Sequence, residues 1–203
     1  MSTTRTTLRQ ANVALRAMLV FTIVLGLGYT LLITGIGQLV LPWQANGSPV
    51  AGSSGRTVGS ALIGQTFTDV DGAPLPEYFQ PRPSAAGEGY DGGASSGSNY
   101  GPENSDLITA IDERQAAIAA FENVDVSEIP AEAVTASASG LDPHISPAYA
   151  LLQVDRVAEA RSLDDATVRD LVESRIQARD LGFLGEPRVN VLELNLALDA
   201  LQG

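Results

Sequence analysis

Between Arg16 and Arg56 the chain carries no charged residue. Within that interval Ala17–Leu41 is a run of 25 residues dominated by Leu, Ile, Val, Gly and Thr. As a helix it reaches ~38 Å at 1.5 Å per residue, more than the ~30 Å hydrocarbon core of a bilayer. A secretory leader has a shorter apolar core and a small-residue cleavage site. Here Pro42-Trp43-Gln44 follows instead, and Trp43 suits an anchor at the membrane interface. The expected organisation is a short cytoplasmic N-terminus over 1–16, a transmembrane helix over 17–41 and one extracytoplasmic domain over 42–203.

The orientation follows from the flanks. Arg5, Arg9 and Arg16 precede the span with no acid among them, which places the N-terminus in the cytoplasm by the positive-inside rule. All 24 acidic residues lie beyond the span with nine of the 12 arginines, a balance of −15 for the outer part. The location expected is the cell (inner or plasma) membrane, single-pass. Thr22, Gly26, Thr30 and Thr34 recur every four residues along the span. Rows of small side chains let helix backbones approach closely in lipid, so this ridge is a candidate contact for another membrane helix.

Composition excludes much chemistry. The chain has no Lys, no Cys and one His. There is accordingly no phosphate-binding lysine loop, no thiolate nucleophile or disulfide framework, and no pair of histidines for a catalytic metal. The acidic balance argues against nucleic acid as a partner. No metal site is expected, and a self-sufficient enzyme is not expected either.

The outer part has the length of one domain, and its pattern predicts an α+β class. Thr57–Phe67 reads as short strand material. Pro76–Asn104 holds 6 Gly, 4 Pro and 4 Ser, with Tyr78, Phe79, Tyr90 and Tyr100 arguing for an ordered loop. Apolar spacing predicts a helix from about Asp106 to Phe121, capped by Asn104 or Ser105. Ala133–Ala138 looks like a strand. Ser146-Pro147 opens a helix to about Ala160, and Ser162-x-x-Asp165 resembles a capping box for the next. Asn190-x-x-Glu193 favours a helix over a strand for the C-terminal leucine-rich segment.

Two local clusters invite a chemical reading. Asp142, His144 and Ser146 lie within five residues, but a triad needs convergence in space with the imidazole between its partners. Ser146 is already accounted for as a helix cap. Asp69-x-Asp71-Gly72 has the start of a calcium loop without its later ligands, so a turn is expected.

Six segments in order then identify a family resemblance: QANGS from Gln44, VGSALIGQTF from Val58, YFQPRPSA from Tyr78, GSNYGP from Gly97, VTASASGLDPHISP from Val134 and RVNVLELNLALD from Arg188. With the single N-terminal span they closely resemble the C subunit of Kdp-type potassium-transporting ATPases. The resemblance implies a subunit without its own active site or directly bound cofactor, ATP and potassium being handled by the complex. The partners it implies are a channel-like potassium-translocating subunit, a P-type ATPase subunit and a very small membrane peptide, all within the lipid bilayer. It also implies a role in assembly and, as a catalytic chaperone, in raising the ATPase subunit's affinity for ATP. Gln153, after the GLDPHISP motif, is the residue the resemblance offers for nucleotide contact. The topology conflicts with that contact, because ATP is cytoplasmic and most of this chain is expected outside. The alternatives from other classes are a membrane-anchored hydrolase using Asp142, His144 and Ser146, and a solute-binding or sensor module.

Overall fold

The structure, a computed structural model, describes residues 2–202 and divides into two compact units, residues 1–48 and 49–203. In the first unit, helix α1 (Ser2–Phe21), a π-helical segment (Thr22–Tyr29) and α2 (Thr30–Val40) run on without interruption. The helix starts well before Ala17 because residues 2–16 contain neither Gly nor Pro to break it. Thr6–Val40 is long and apolar enough to cross a bilayer, and none of its large hydrophobic side chains is buried within the chain. Leu41 leaves the helical region (φ −132°, ψ 54°), as a residue before proline tends to do, and Pro42 opens the short helix α3 (Pro42–Ala45). Asn46 ties the two helices together, its amide donating to the Gln38 Oε1 at 3.1 Å and to the Pro42 carbonyl at 2.6 Å.

The second unit mixes helices with two small antiparallel sheets. Strands β1 (Pro49–Ala51) and β2 (Thr57–Ser60) form one; β3 (His144–Ile145) and β4 (Val189–Asn190) form the other, pairing His144 with Asn190 and Ile145 with Val189. Residues 61–104 contain only isolated bridges. Helix α4 (Ser105–Glu122) begins where the sequence places it. The Asn104 side chain accepts from the Asp106 and Leu107 amides, and Asn123 closes the other end in the left-handed conformation. Ala133–Ala138 is not a strand. It is a 3₁₀ turn (Ala131–Val134) followed by irregular chain, because Pro130 starts a tight turn and no neighbouring strand is available for pairing.

The helix expected from Pro147 to about Ala160 is divided in two, α5 (Pro147–Leu152) and α6 (Val154–Arg161), at Gln153 (φ −84°, ψ −6°). Ser162 does not cap the helix that follows. It ends α6 with φ 53°, and α7 (Asp165–Ser174) starts after Asp164 without a side-chain cap bond. Helix α8 (Val191–Asp199) is capped by Asn190, whose side chain accepts from the Glu193 amide. Val154, Val157 and Ala158 of α6, Val168 and Val172 of α7, and Leu194 and Leu198 of α8 are fully enclosed in one apolar cluster with Phe79. Phe79 comes from the irregular stretch, so the loop segment supplies a fully enclosed core residue.

Candidate functional site

How an irregular segment becomes core depends on where its polar backbone groups go. Five consecutive carbonyls, from Pro76 to Gln80, are all held by side chains of the helical body. Arg156 donates to the carbonyls of Pro76 and Tyr78, Arg161 to Glu77 at 2.7 Å, Asn195 to Phe79 at 3.0 Å and Gln153 to Gln80 at 3.1 Å. The two amides also accept. Asn195 Oδ1 takes the Phe79 N–H at 2.9 Å, and Gln153 Oε1 takes the Gln80 N–H at 2.6 Å. Each carboxamide thus pairs with both backbone groups of one residue of this strap, residues 76–80, as a neighbouring strand would. A side chain that offers one donor and one acceptor in a plane can do this, and Asn and Gln are the residues that do.

The arginines of this clamp are themselves fixed. Arg156 Nε lies 2.9 Å from Glu122 Oε2, with the two side chains only 8% and 1% exposed, and its guanidinium stacks 4.5 Å from the centre of the Phe121 ring. Burial pushes the Glu122 carboxyl up from its ordinary value, and the hydrogen bond and charge of Arg156 oppose that rise. Arg161 pairs with Asp199 at 2.7 Å and lies over the Tyr78 ring. Gln153, proposed from resemblance for nucleotide contact, is completely enclosed and bonded to Gln80 and Arg156.

The 140–147 segment forms a second polar centre. Gly140 turns the chain with φ 67°, where a Cβ would lie 2.6 Å from the Ser96 carbonyl and 2.7 Å from the Ala86 nitrogen. Asp142 Oδ1 accepts the His144 N–H at 3.0 Å and lies 3.3 Å from His144 Nδ1, while Oδ2 meets Arg82 at 3.2 Å. Burial raises the Asp142 carboxyl, but hydrogen bonds from the His144 ring and backbone, with the His144 and Arg82 charges, outweigh it and hold the carboxyl below its ordinary range. Ser146 Oγ accepts the Tyr149 N–H at 3.1 Å as the cap of α5, and the Ser146 N–H donates to Glu132 at 2.7 Å. Among the described residues no hydrogen bond joins His144 to Ser146. Arg82, Glu132, Asp142, His144, Glu186 and Arg188 share the walls of an open groove of about 650 Å³. Asp69 forms the expected turn, its Oδ1 accepting from Asp71 and Ala73 at 2.9 Å each.

In the first unit, the π-helical winding acts on the small-residue ridge. On an α-helix a four-residue step overshoots a full turn by about 40°. In a π-helix, with roughly one residue more per turn, the same step falls short by about 30°. The change of winding over Thr22–Tyr29 therefore keeps Thr22, Gly26, Thr30 and Thr34 on one side of the helix rather than spiralling around it. Trp43 lies on α3, half exposed. Asn195, Arg156 and Arg161 were missed as functional positions. The available signal was polar side chains on helix faces otherwise occupied by Val, Ala and Leu.

The comparisons with known proteins agree with one another. Residues 11–200 match the KdpC family, described as K+-transporting ATPase, c chain. The potassium-transporting ATPase KdpC subunit of Caulobacter vibrioides is 54% identical over 92% of this chain and 91% of its own length. That of Beijerinckia indica is 51% identical over 95% and 94%, and that of Mycobacterium tuberculosis 50% identical over 95% and 99%. The match over residues 11–200 and 50–54% identity over nearly the full length of these subunits lead to one assignment: the chain belongs to the KdpC family, subunits of the potassium-transporting ATPase with an accessory role in potassium transport.

Proposed function

We propose that this chain is a non-catalytic assembly subunit of an ATP-driven potassium importer, anchored by its N-terminal helix with residues 42–203 outside the cell. The observation that carries this reading is the division of labour within the chain. An uncovered apolar helix with an aligned small-residue ridge needs a membrane environment and offers a close contact to another helix. The remaining residues build a domain whose polar network is spent on holding its own strap. The partners are the channel-like potassium-translocating subunit, the P-type ATPase subunit and the small membrane peptide. Thr22, Gly26, Thr30 and Thr34 make the contact within the bilayer, and Trp43 marks the outer interface.

An effect on ATP affinity, in this reading, is transmitted through the assembled complex as coupling between separated sites. The enclosure of Gln153 supports this over direct contact, since nucleotide could reach its amide only by displacing Gln80 and Arg156. The absence of a His144–Ser146 bond and the use of Ser146 as a cap favour the accessory reading over a hydrolase.

The topology is tested on the full chain in intact cells. It contains no Cys, so single cysteines at Thr3 and Ser54 report accessibility without background. Membrane-impermeant maleimide labelling Ser54→Cys but not Thr3→Cys is the expected result; the reverse pattern overturns the orientation. Potassium-limited growth with Ser146→Ala or His144→Ala tests the rival, because a hydrolase loses its activity in both and an accessory subunit retains most of its function.

A further inference from the structure

A second cavity, of about 460 Å³, lies beside residues 76–80 and shares Gln80 and Arg82 with the clusters above. Its walls are mostly apolar, with Pro74, Pro81, Ile118 and Ala133 among them, and Tyr149 and Arg114 face it. Tyr149 is 3% exposed, and its hydroxyl makes no hydrogen bond among the described residues. No side-chain oxygen or nitrogen of the described residues is both fully enclosed and unpaired. The Tyr149 hydroxyl therefore opens onto the cavity that its ring lines. Burial pushes its ionisation up, with the Glu122 charge adding to the rise, so the hydroxyl stays a neutral donor.

Arg114 brings the charge. One of its nitrogens donates to the Val134 carbonyl at 2.9 Å, and among the described residues no carboxylate lies within ion-pair distance, in a chain with twice as many acids as arginines. The carboxylates nearest Tyr149 are otherwise engaged, Glu122 with Arg156 and Glu132 with the Ser146 N–H, and neither lines the cavity. Arg82, which also lines the cavity, is used up by the Thr135 carbonyl and Asp142. A phenol donor open to the cavity, a half-buried guanidinium with no ion pair among the described residues and apolar walls together match one chemical class, a carboxylate on an apolar stem.

We propose that this cavity binds such a carboxylate, with Arg114 and the Tyr149 hydroxyl holding its two oxygens and the proline-lined wall covering the stem. The group comes either from a free small molecule or from an acidic side chain on a neighbouring subunit's loop. The pocket chemistry stands apart from the assembly reading; only the second source rests on it.

The test uses the full-length chain in detergent, with hexanoate as probe and hexanol as the uncharged control, followed by saturation-transfer NMR. Saturable hexanoate binding is expected, with hexanol at least tenfold weaker and with hexanoate weakened tenfold or more in both Tyr149→Phe and Arg114→Gln. Unchanged thermal unfolding of Tyr149→Phe separates loss of the donor from loss of the fold. A photocrosslinking residue at Ala117 in the purified complex distinguishes the sources. An adduct to an acidic segment of another subunit, suppressed by excess hexanoate, identifies a side chain; saturable hexanoate without an adduct identifies a free carboxylate. Equal binding of hexanol, binding unaltered in both variants, or neither binding nor adduct overturns the proposal.

Discussion

Gln153 and Gln80, 73 residues apart, are joined like paired strand residues: the Gln153 carboxamide accepts the Gln80 N–H at 2.6 Å and donates to its carbonyl at 3.1 Å. The break between α5 and α6 falls at the residue that makes this pair, and Asn195 repeats it one position earlier on Phe79. The two amides are what allow Phe79 and Gln80 to be buried without a sheet.

Replacing Gln153 by Leu strands a buried donor and acceptor and releases one hydrogen bond of Arg156. The expected cost is about 2–4 kcal/mol. Thermal unfolding of the purified chain measures it. Nucleotide dependence of the complex should change only in proportion to the amount of folded subunit. An unchanged unfolding midpoint with a selectively raised KM for ATP contradicts the structural role.

Glu122 and Asp142 give stability opposite dependences on pH. The folded-state pKa of Glu122 is raised, so the folded chain binds the extra proton. Its contribution falls as pH rises from the ordinary glutamate value of 4.5 through the raised one. That of Asp142 is lowered, so its contribution is present above the ordinary aspartate value of 3.8 and is lost as pH falls through the lowered one. Denaturant midpoints recorded across pH should lose the first slope in Glu122→Gln and the second in Asp142→Asn. Arg156→Met, which leaves Glu122 buried without its cation, should cost about 3–5 kcal/mol.

Gly140 tolerates no side chain. Alanine there meets the Ser96 carbonyl and the Ala86 nitrogen and must also hold φ 67°. We expect Gly140→Ala to destabilise by more than about 2 kcal/mol, whereas Gly101→Ala, with open space around it, should change little. Parallel thermal melts of the two variants check the contrast.

The membrane ridge is tested by bulk. Gly26→Leu should leave insertion intact, since leucine favours lipid, and should sharply reduce recovery of the chain with its partner subunits. Leu25→Ile, at the adjacent position, should recover as wild type. Equal recovery of the two variants removes the ridge from the interface.

Much of this architecture is visible in local pattern. Asn104, Ser146 and Asn190 announce their helices because a cap acts within three residues of itself, and the long uncharged run announces the apolar helix at once. What escaped depends on distant partners. Val134-Thr135 has strand-like composition but no strand beside it, and Ser162 has a cap's composition but lies at a helix C-terminus in a left-handed turn. The strap could not be read because its partners, Gln153, Arg156 and Asn195, lie 73 to 116 residues away from the groups they satisfy. The Tyr149–Arg114 cavity was hidden for the same reason: tyrosine on one helix and arginine on another are ordinary until the fold brings both to one cavity.

That this chain acts only as part of a potassium-transporting complex is tested by mild-detergent purification of the tagged full-length chain expressed with its native neighbours, with mass spectrometry of what accompanies it. A P-type ATPase and a multi-span channel-like protein in fixed ratio to the chain are the expected result. Recovery of the chain alone, folded and in normal yield, would contradict it.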